Sequence, residues 1–316
     1  MRAYFSDRFV LPLPAGHRFP MRKYAQLRQA LEQLEPALAL CEAPAATPEQ
    51  LALAHDTGWI GRMLHGGLSL SEQRAIGFPW SPAMAERSVR SVGASLAACE
   101  AARIDGFSAN LAGGTHHAYA DRGEGFCCFN DFAVAARWIQ AQGWADRVLI
   151  LDLDVHQGNG TARIFRDDPR VFTLSLHGAR NFPFSKEVGD ADYPLPDGTG
   201  DAVYLDTLES ALRDAASRFN PDWVLYLAGA DVYRGDRLGR LALSAEGIAC
   251  RDQMVLRWCK AAGLPCVLAM GGGYADPIED TVAIHTRTVR LAASLALGGG
   301  QQLALHKHQV QSRLQA

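Results

Sequence analysis

Short apolar runs alternate along this chain with longer stretches of helical periodicity. Six runs read as strands: RAYFS near residue 4, SANLAG near 110, RVLILDLD near 150, VFTLSLH near 174, WVLYLAGAD near 227 and PCVLAMGGG near 268. The apolar residues in most of them are consecutive rather than alternate, as in strands buried on both faces. Helical patterns lie between. FNDFAVAARWIQAQG has Asp131 near its start, and SAEGIACRDQMVLRWCKAAG opens on Ser244, a good N-cap, and closes on Gly263, suited to the position just past a helix end. LCEAPAATPEQLALAHD reads as a loop leading into a helix. Strand–helix alternation with doubly apolar strands predicts an α/β fold, a mainly parallel sheet with helices on both faces.

Neither an internal repeat nor a low-complexity tract interrupts the pattern, so residues 1–316 are expected to form a single domain. Gly298–Gly300 ends the last strong helical pattern. The tail from 298 to 316 is polar, and its His306 and His308 read as solvated rather than metal-binding.

Composition narrows the function classes. The chain has 316 residues, 48% hydrophobic and 21% charged, as in an ordinary globular protein with a sizeable core. Its 31 Lys plus Arg against 34 Asp plus Glu give a net charge of -3, no reason to expect nucleic acid or an anionic membrane surface as partner. The seven cysteines are odd in number and include no CxxC pair, which indicates free thiols in a reducing compartment. MRAYFSDRFVLPLP lacks the apolar stretch of a signal peptide, and no apolar run is long enough to span a membrane. The expectation is a cytoplasmic enzyme of unknown oligomeric state.

Polar residues collect where four of the predicted strands end. SANLAG runs into GTHHAYADRGEGFCCFND, RVLILDLD into VHQGNG, WVLYLAGAD into Asp231 and VYRGDRLGRLALS, and PCVLAM into GGGYADP. The carboxyl ends of strands in an open α/β sheet form its ligand crevice. Residues two apart on a strand share a face, so Asp152, Asp154 and His156 are expected side by side. Such a set is costly when buried unpaired, and a divalent metal removes the cost. Asp154, His156 and the distant Asp231 would make a three-ligand site with an open position, a catalytic zinc pattern that also accepts Fe2+. Of His116 and His117, one could serve as general base and the other as a proton carrier or cation. Asp152 could orient one of them and Asn159 the other. The Tyr274 hydroxyl could donate to a developing oxyanion, and Phe126 and Phe182 could wall an apolar entrance.

Taken together, GGTHHAYADRGEGFCCFND, LDLDVHQGNGTA, TLSLH, YPLPDGTGD, GADVYRGDRLGRLALS and GGGY resemble, in order, the histone deacetylase family, which includes bacterial acetoin-utilisation-type proteins and acetylpolyamine amidohydrolases. GHRFPMRKY and GDRLGRL look most like its small class IV branch. The resemblance implies an arginase/deacetylase fold, a three-layer α/β/α arrangement around about eight mainly parallel strands. It also implies metal-dependent hydrolysis of an N-acyl amide, usually acyl-lysine, with an acetylpolyamine or other small N-acyl amine as the alternative. Carried over by motif, Asp154, His156 and Asp231 hold the metal, His117 is the general base, and His116 pairs with Asp152. Asn159 lies behind the base, and Tyr274 polarises the carbonyl. Gly125, Phe126, Phe182 and Gly272 line the channel. A monovalent cation, usually K+, is implied near Asp152 and Asp154, with Ser175 and the backbone of His156 and Leu176.

Three departures bear on substrate. Asn159 stands where some members carry Asp, and Thr115 where some carry an aromatic residue. The loop IGFPWSPAM offers no acid before Glu86 to grip a peptide backbone. The acidic segment 187–201 could attract polyamines, although a structural loop is the simpler reading. Cys127 and Cys128 read as close-packed thiols. A two-manganese site of the arginase kind would need a further aspartate two residues after Asp231, and none is there. A catalytically silent acyl sensor would not need the full set of ligands, base and Tyr274.

Overall fold

The computed structural model describes residues 1–14, 16–33 and 38–297. The tail, with Gly298–Gly300, His306 and His308, lies outside the described residues.

In chain order the elements are β1 (Arg2–Phe5), α1 (Arg22–Glu32), β2 (Ala39–Glu42), α2 (Pro48–Leu51), α3 (Thr57–His65), α4 (Leu70–Ile76), α5 (Pro82–Asp105), β3 (Phe107–Asn110), α6 (Asp131–Ala141), β4 (Val148–Asp152), α7 (Asn159–Phe165), β5 (Val171–Gly178), β6 (Ala191–Leu195), α8 (Asp201–Arg218), β7 (Trp223–Leu227), α9 (Ala245–Ala261), β8 (Cys266–Ala269) and α10 (Ile278–Leu297). The strands form one eight-stranded sheet in the order β2-β1-β3-β8-β7-β4-β5-β6. Every pairing is parallel.

The central strands form where every residue is buried, as in β3, β4, β5, β7 and β8. Alternate residues feed two cores. Leu149, Leu151, Val224, Tyr226 and Leu268 pack on one side, and Val148, Ile150, Leu225 and Val267 on the other. Helices between them start on local caps. Asn130 accepts from the Ala133 N–H at the head of α6, and Ser244 accepts from the Gly247 N–H at the head of α9. Gly263, just past α9, has φ +66°.

Two strands were missed in the sequence. Residues 39–42, which run into the start of the segment read as a loop, form β2, and residues 191–195, within the acidic loop, form β6. Both are edge strands with partly exposed residues, and Pro194 sits in β6, so neither shows a continuous apolar run.

Register positions the site. Asn110 pairs with Ala269, Leu227 with Ala269, Asp152 with Leu227, and Asp152 with Ser175. The ends of β3, β8, β7 and β4 therefore lie level, and the four loops that follow leave the sheet together. β3 and β4 are separated by β8 and β7, so the chain reverses direction across the sheet here, the position at which open α/β sheets form a crevice. Among the described residues no helix is long and apolar enough to cross a membrane.

Candidate active site

β4 stops at Asp152, so Asp154 and His156 are not on the strand and its pleat does not align them. Two successive tight turns do. Asp152 Oδ1 accepts from the Asp154 N–H at 3.1 Å, and Asp154 Oδ1 accepts from the His156 N–H at 2.9 Å. An aspartate bonding the backbone two residues on is a recurrent turn device. Asp231, four residues beyond β7, is fastened to the same loop because its Oδ1 accepts from the Val155 N–H at 2.9 Å.

Asp154, His156 and Asp231 each bring a ligand atom within 4.8 Å of the others. His156 Nδ1 faces Asp154 Oδ1 at 2.9 Å and Asp231 Oδ2 at 3.2 Å. Asp231 is fully buried, yet its Oδ2 has no properly aligned hydrogen-bond donor among the described residues. Burial, followed by the charge of Asp154, raises the Asp231 pKa. Burial opposes charging of His156, but its close contacts with the Asp154 and Asp231 carboxylates outweigh it and push its pKa up to about 10. Two buried carboxylates thus compete for one shared cationic imidazole. The donor set and the orphaned oxygen fit a divalent cation, which would replace that proton. Gly272 closes the cradle from behind. A Cβ there would stand 2.3 Å from Asp231 Oδ2 and 2.7 Å from Asp154 Oδ2.

His116 and His117 sit on the loop after β3, their ring centres 4.1 Å apart. Asp131, at the head of α6, fixes that loop. Its Oδ1 accepts from the Thr115 N–H at 2.8 Å and the Thr115 hydroxyl at 2.7 Å, and its Oδ2 accepts from the Gly114 N–H at 3.2 Å and the Ser95 hydroxyl at 2.6 Å. His116 Nδ1 lies 2.6 Å from Asp152 Oδ2. His117 Nδ1 lies 2.7 Å from Asn159 Oδ1. The Asn159 amide orientation follows from its other partners, since Nδ2 donates to the Tyr119 hydroxyl at 3.0 Å and to Glu124 Oε2 at 3.2 Å. Asn159 therefore presents an acceptor to His117, whose Nδ1 carries the proton and whose Nε2 keeps a lone pair.

Environment separates the pair. Burial, then the neighbouring His116 and His156, holds His117 well below the usual histidine range. Burial also opposes charge on His116, but Asp152 overcomes it and raises its pKa. The result is a neutral imidazole beside one that favours the cation, arranged for proton transfer and for stabilising negative charge.

A cavity of about 900 Å³ contains these groups, and Gly125, Phe126, Phe182, Gly272 and Tyr274 line it. Phe182 meets His117 edge-on with ring centres 4.9 Å apart, and Gly125 backs the same imidazole. Phe126 adopts φ +68° and faces the rings of Phe19, Phe78 and Tyr274. Tyr274 is held through its backbone, its N–H donating to Asp236 Oδ2 at 2.5 Å and its carbonyl accepting from Arg237 Nε at 3.1 Å. Its hydroxyl has no partner among the described residues. Ser175 lies opposite Asp152 across β4 and β5, with Leu176 next to it on β5.

Other groups were not anticipated from sequence. Lys23, buried on α1, donates to the carbonyls of Gly272 and Gly273. Arg251, fully buried on α9, donates to the carbonyls of Leu153 at 3.2 Å and Gly229 at 2.6 Å, so it braces the loops that carry Asp154 and Asp231. A charge inside the apolar stripe of α9 was the one available signal for Arg251. Lys23 had none. Burial pushes the Cys128 thiol up to about 11 and Cys127 well above its usual range, as expected for packed thiols.

The Histone deacetylase domain family matches residues 17–289. An uncharacterized protein of Picosynechococcus sp. is 44% identical over 288 residues, covering 90% of this chain and 95% of its own length. Histone deacetylase 2 of Arabidopsis thaliana is 37% identical over 202 residues, 60% of this chain and 52% of the relative, so the alignment spans about half of that protein. Among solved structures, the HDA15 HD domain superposes with a TM-score of 0.77 at 24% identity, covering 94% of this chain and 88% of the other.

Proposed function

The chain belongs to the histone deacetylase domain family, and from that membership we propose that it is a metal-dependent hydrolase of N-acyl amines, acting on acyl-lysine or a small-molecule analogue. The observation that carries this reading is the placement of His117, whose Nδ1 is bonded to Asn159 and whose Nε2 keeps a lone pair, beside the buried Asp154–His156–Asp231 cluster, in which Asp231 Oδ2 has no aligned donor among the described residues.

Asp154, His156 and Asp231 would hold Zn2+ or Fe2+. An ion bound there supplies Lewis acidity, which polarises a carbonyl and can bring the pKa of a water from about 15.7 towards 7. His117 Nε2 takes the proton from the attacking water. The Tyr274 hydroxyl, which has no partner among the described residues, donates to the carbonyl oxygen as negative charge develops on it. The cationic His116, anchored by Asp152, stabilises the same charge, and the proton held by the histidine pair passes to the departing amine nitrogen. Gly125, Phe126 and Phe182 shape the channel, and Gly272 keeps space behind the ligands. Asp152, Asp154, Ser175 and the backbone of His156 and Leu176 would hold K+, which would fix the turns that present the ligands.

Asp231→Ala tests the ligand set. The variant should fold but fail to retain one equivalent of zinc in a chelator competition. Normal binding of one equivalent would overturn the assignment.

A further inference from the structure

Six arginines line the cavity that contains the candidate active site; Arg87 is buried, and Arg18, Arg74, Arg180, Arg237 and Arg240 are exposed. Among the described residues Arg18 and Arg74 form no ion pair, and Arg237 is tied only to the Tyr274 carbonyl. Arg180 and Arg240 share the single carboxylate of Asp197, at 3.8 and 3.2 Å. The carboxylates lining the same cavity are Asp154 and Asp231, which are the candidate ligands, and Glu124, which is bonded to Asn159. A chain of net charge -3 therefore places a concentration of positive charge at one opening.

Within the acidic segment 187–201 only Asp197 offsets it, through Arg180 and Arg240; the other carboxylates bond elsewhere. Glu187 pairs with Arg166, Asp190 accepts from the N–H and hydroxyl of Thr173, and Asp192 accepts from Gln157 and the Gly189 N–H. Asp201 accepts from the N–H and hydroxyl of Ser244. None of these lines the cavity. Their charge is committed to holding β6 and the start of α9, so a polyamine or lysine-rich segment approaching the site meets guanidinium groups.

We infer that the arginine mouth selects an anionic amine half: the substrate carries a carboxylate beyond the scissile amide. Guanidinium forks suit this chemistry because they bind carboxylates through two parallel N–H donors. The carboxylate has two possible sources, acidic residues flanking an acyl-lysine in a peptide, or the carboxylate of a free N-acyl amino acid. The inference rests on the hydrolase reading above, since it assigns the amine half to the mouth.

The test compares four ligands with one acyl group: a peptide with acidic residues flanking acyl-lysine, the same peptide with lysines there, an Nα-blocked acyl-lysine with a free carboxylate, and an acylpolyamine. Affinity for zinc-loaded protein and kcat/KM are measured separately at low and high salt. Each solvated charge pair at the mouth contributes on the order of twofold. The acidic peptide is therefore expected to exceed the lysine peptide about tenfold at low salt, with the gap closing as salt rises. Arg18→Glu combined with Arg74→Glu should shrink or invert that ratio. A mouth that binds the lysine peptide or polyamine as tightly as the acidic ligands, or a ratio unmoved by the double variant, overturns the inference. Ordered binding without turnover supports it and sinks the hydrolase reading instead. The better of the two carboxylate ligands identifies the source.

Discussion

Gly272→Ala isolates the contribution of ligand position to metal binding. Gly272 sits at φ +49°, and a Cβ there would stand 2.3 Å from Asp231 Oδ2, where ordinary contact begins at 3.4 Å. The Asp231 carboxylate must then move by about 1 Å. Metal–ligand distances tolerate about 0.2 Å, so the set is broken rather than adjusted. Zinc affinity should fall at least as far as for loss of an orienting partner, roughly 10–100-fold. Gly263→Ala is the matched control. It has φ +66° with nothing within 4 Å of the new Cβ, so it carries the left-handed backbone cost of about 1 kcal/mol without touching a ligand. Zinc affinity is read by chelator competition, and stability by urea unfolding of the metal-free proteins. Both variants should lose stability, and only Gly272→Ala should lose metal. Wild-type zinc affinity in Gly272→Ala, or an equal loss in Gly263→Ala, would refute the reasoning.

Tyr274→Phe should keep the fold and the metal but lose roughly 10²–10³ in kcat, the usual effect of removing an oxyanion donor; full activity would remove the residue from the mechanism. Stability should fall with acid through His55, whose Nε2 accepts from the Asn130 N–H at 2.9 Å and whose pKa burial lowers to about 4. Because the unfolded chain titrates near 6.5, it binds more protons than the native state between those values. The loss therefore begins as pH drops below 6.5 and reaches about 3 kcal/mol near pH 4. His55→Gln, which can still accept from Asn130, should flatten that part of the urea-midpoint profile, and an unchanged slope would count against the neutral buried imidazole.

The central strands were legible because consecutive apolar residues in β4, β5, β7 and β8 have no solvated face. The edge strands β2 and β6 were not, because a half-exposed strand resembles a loop at the level of composition. Polar groups at four strand ends were legible as a convergence, and the level register brings those ends together. The stated cause was wrong in one part: Asp154 and His156 are aligned by two aspartate turns beyond β4, which strand periodicity cannot describe. Lys23 and Arg251 escaped notice because a cation on a helix ordinarily marks its solvated face. The mouth arginines lie at positions 18, 74, 180, 237 and 240, too scattered to form a charge run. Only the folded chain collects them.

The most direct measurement is amine release from a panel of N-acyl-lysine and acylated small amines by zinc- or iron-loaded protein, with a chelator arm and with His117→Ala. Release is expected from at least one substrate, abolished by the chelator and reduced roughly 10²–10⁴-fold in the variant while its metal content is unchanged. Release that survives both the chelator and the loss of His117 would contradict the metal-and-histidine mechanism.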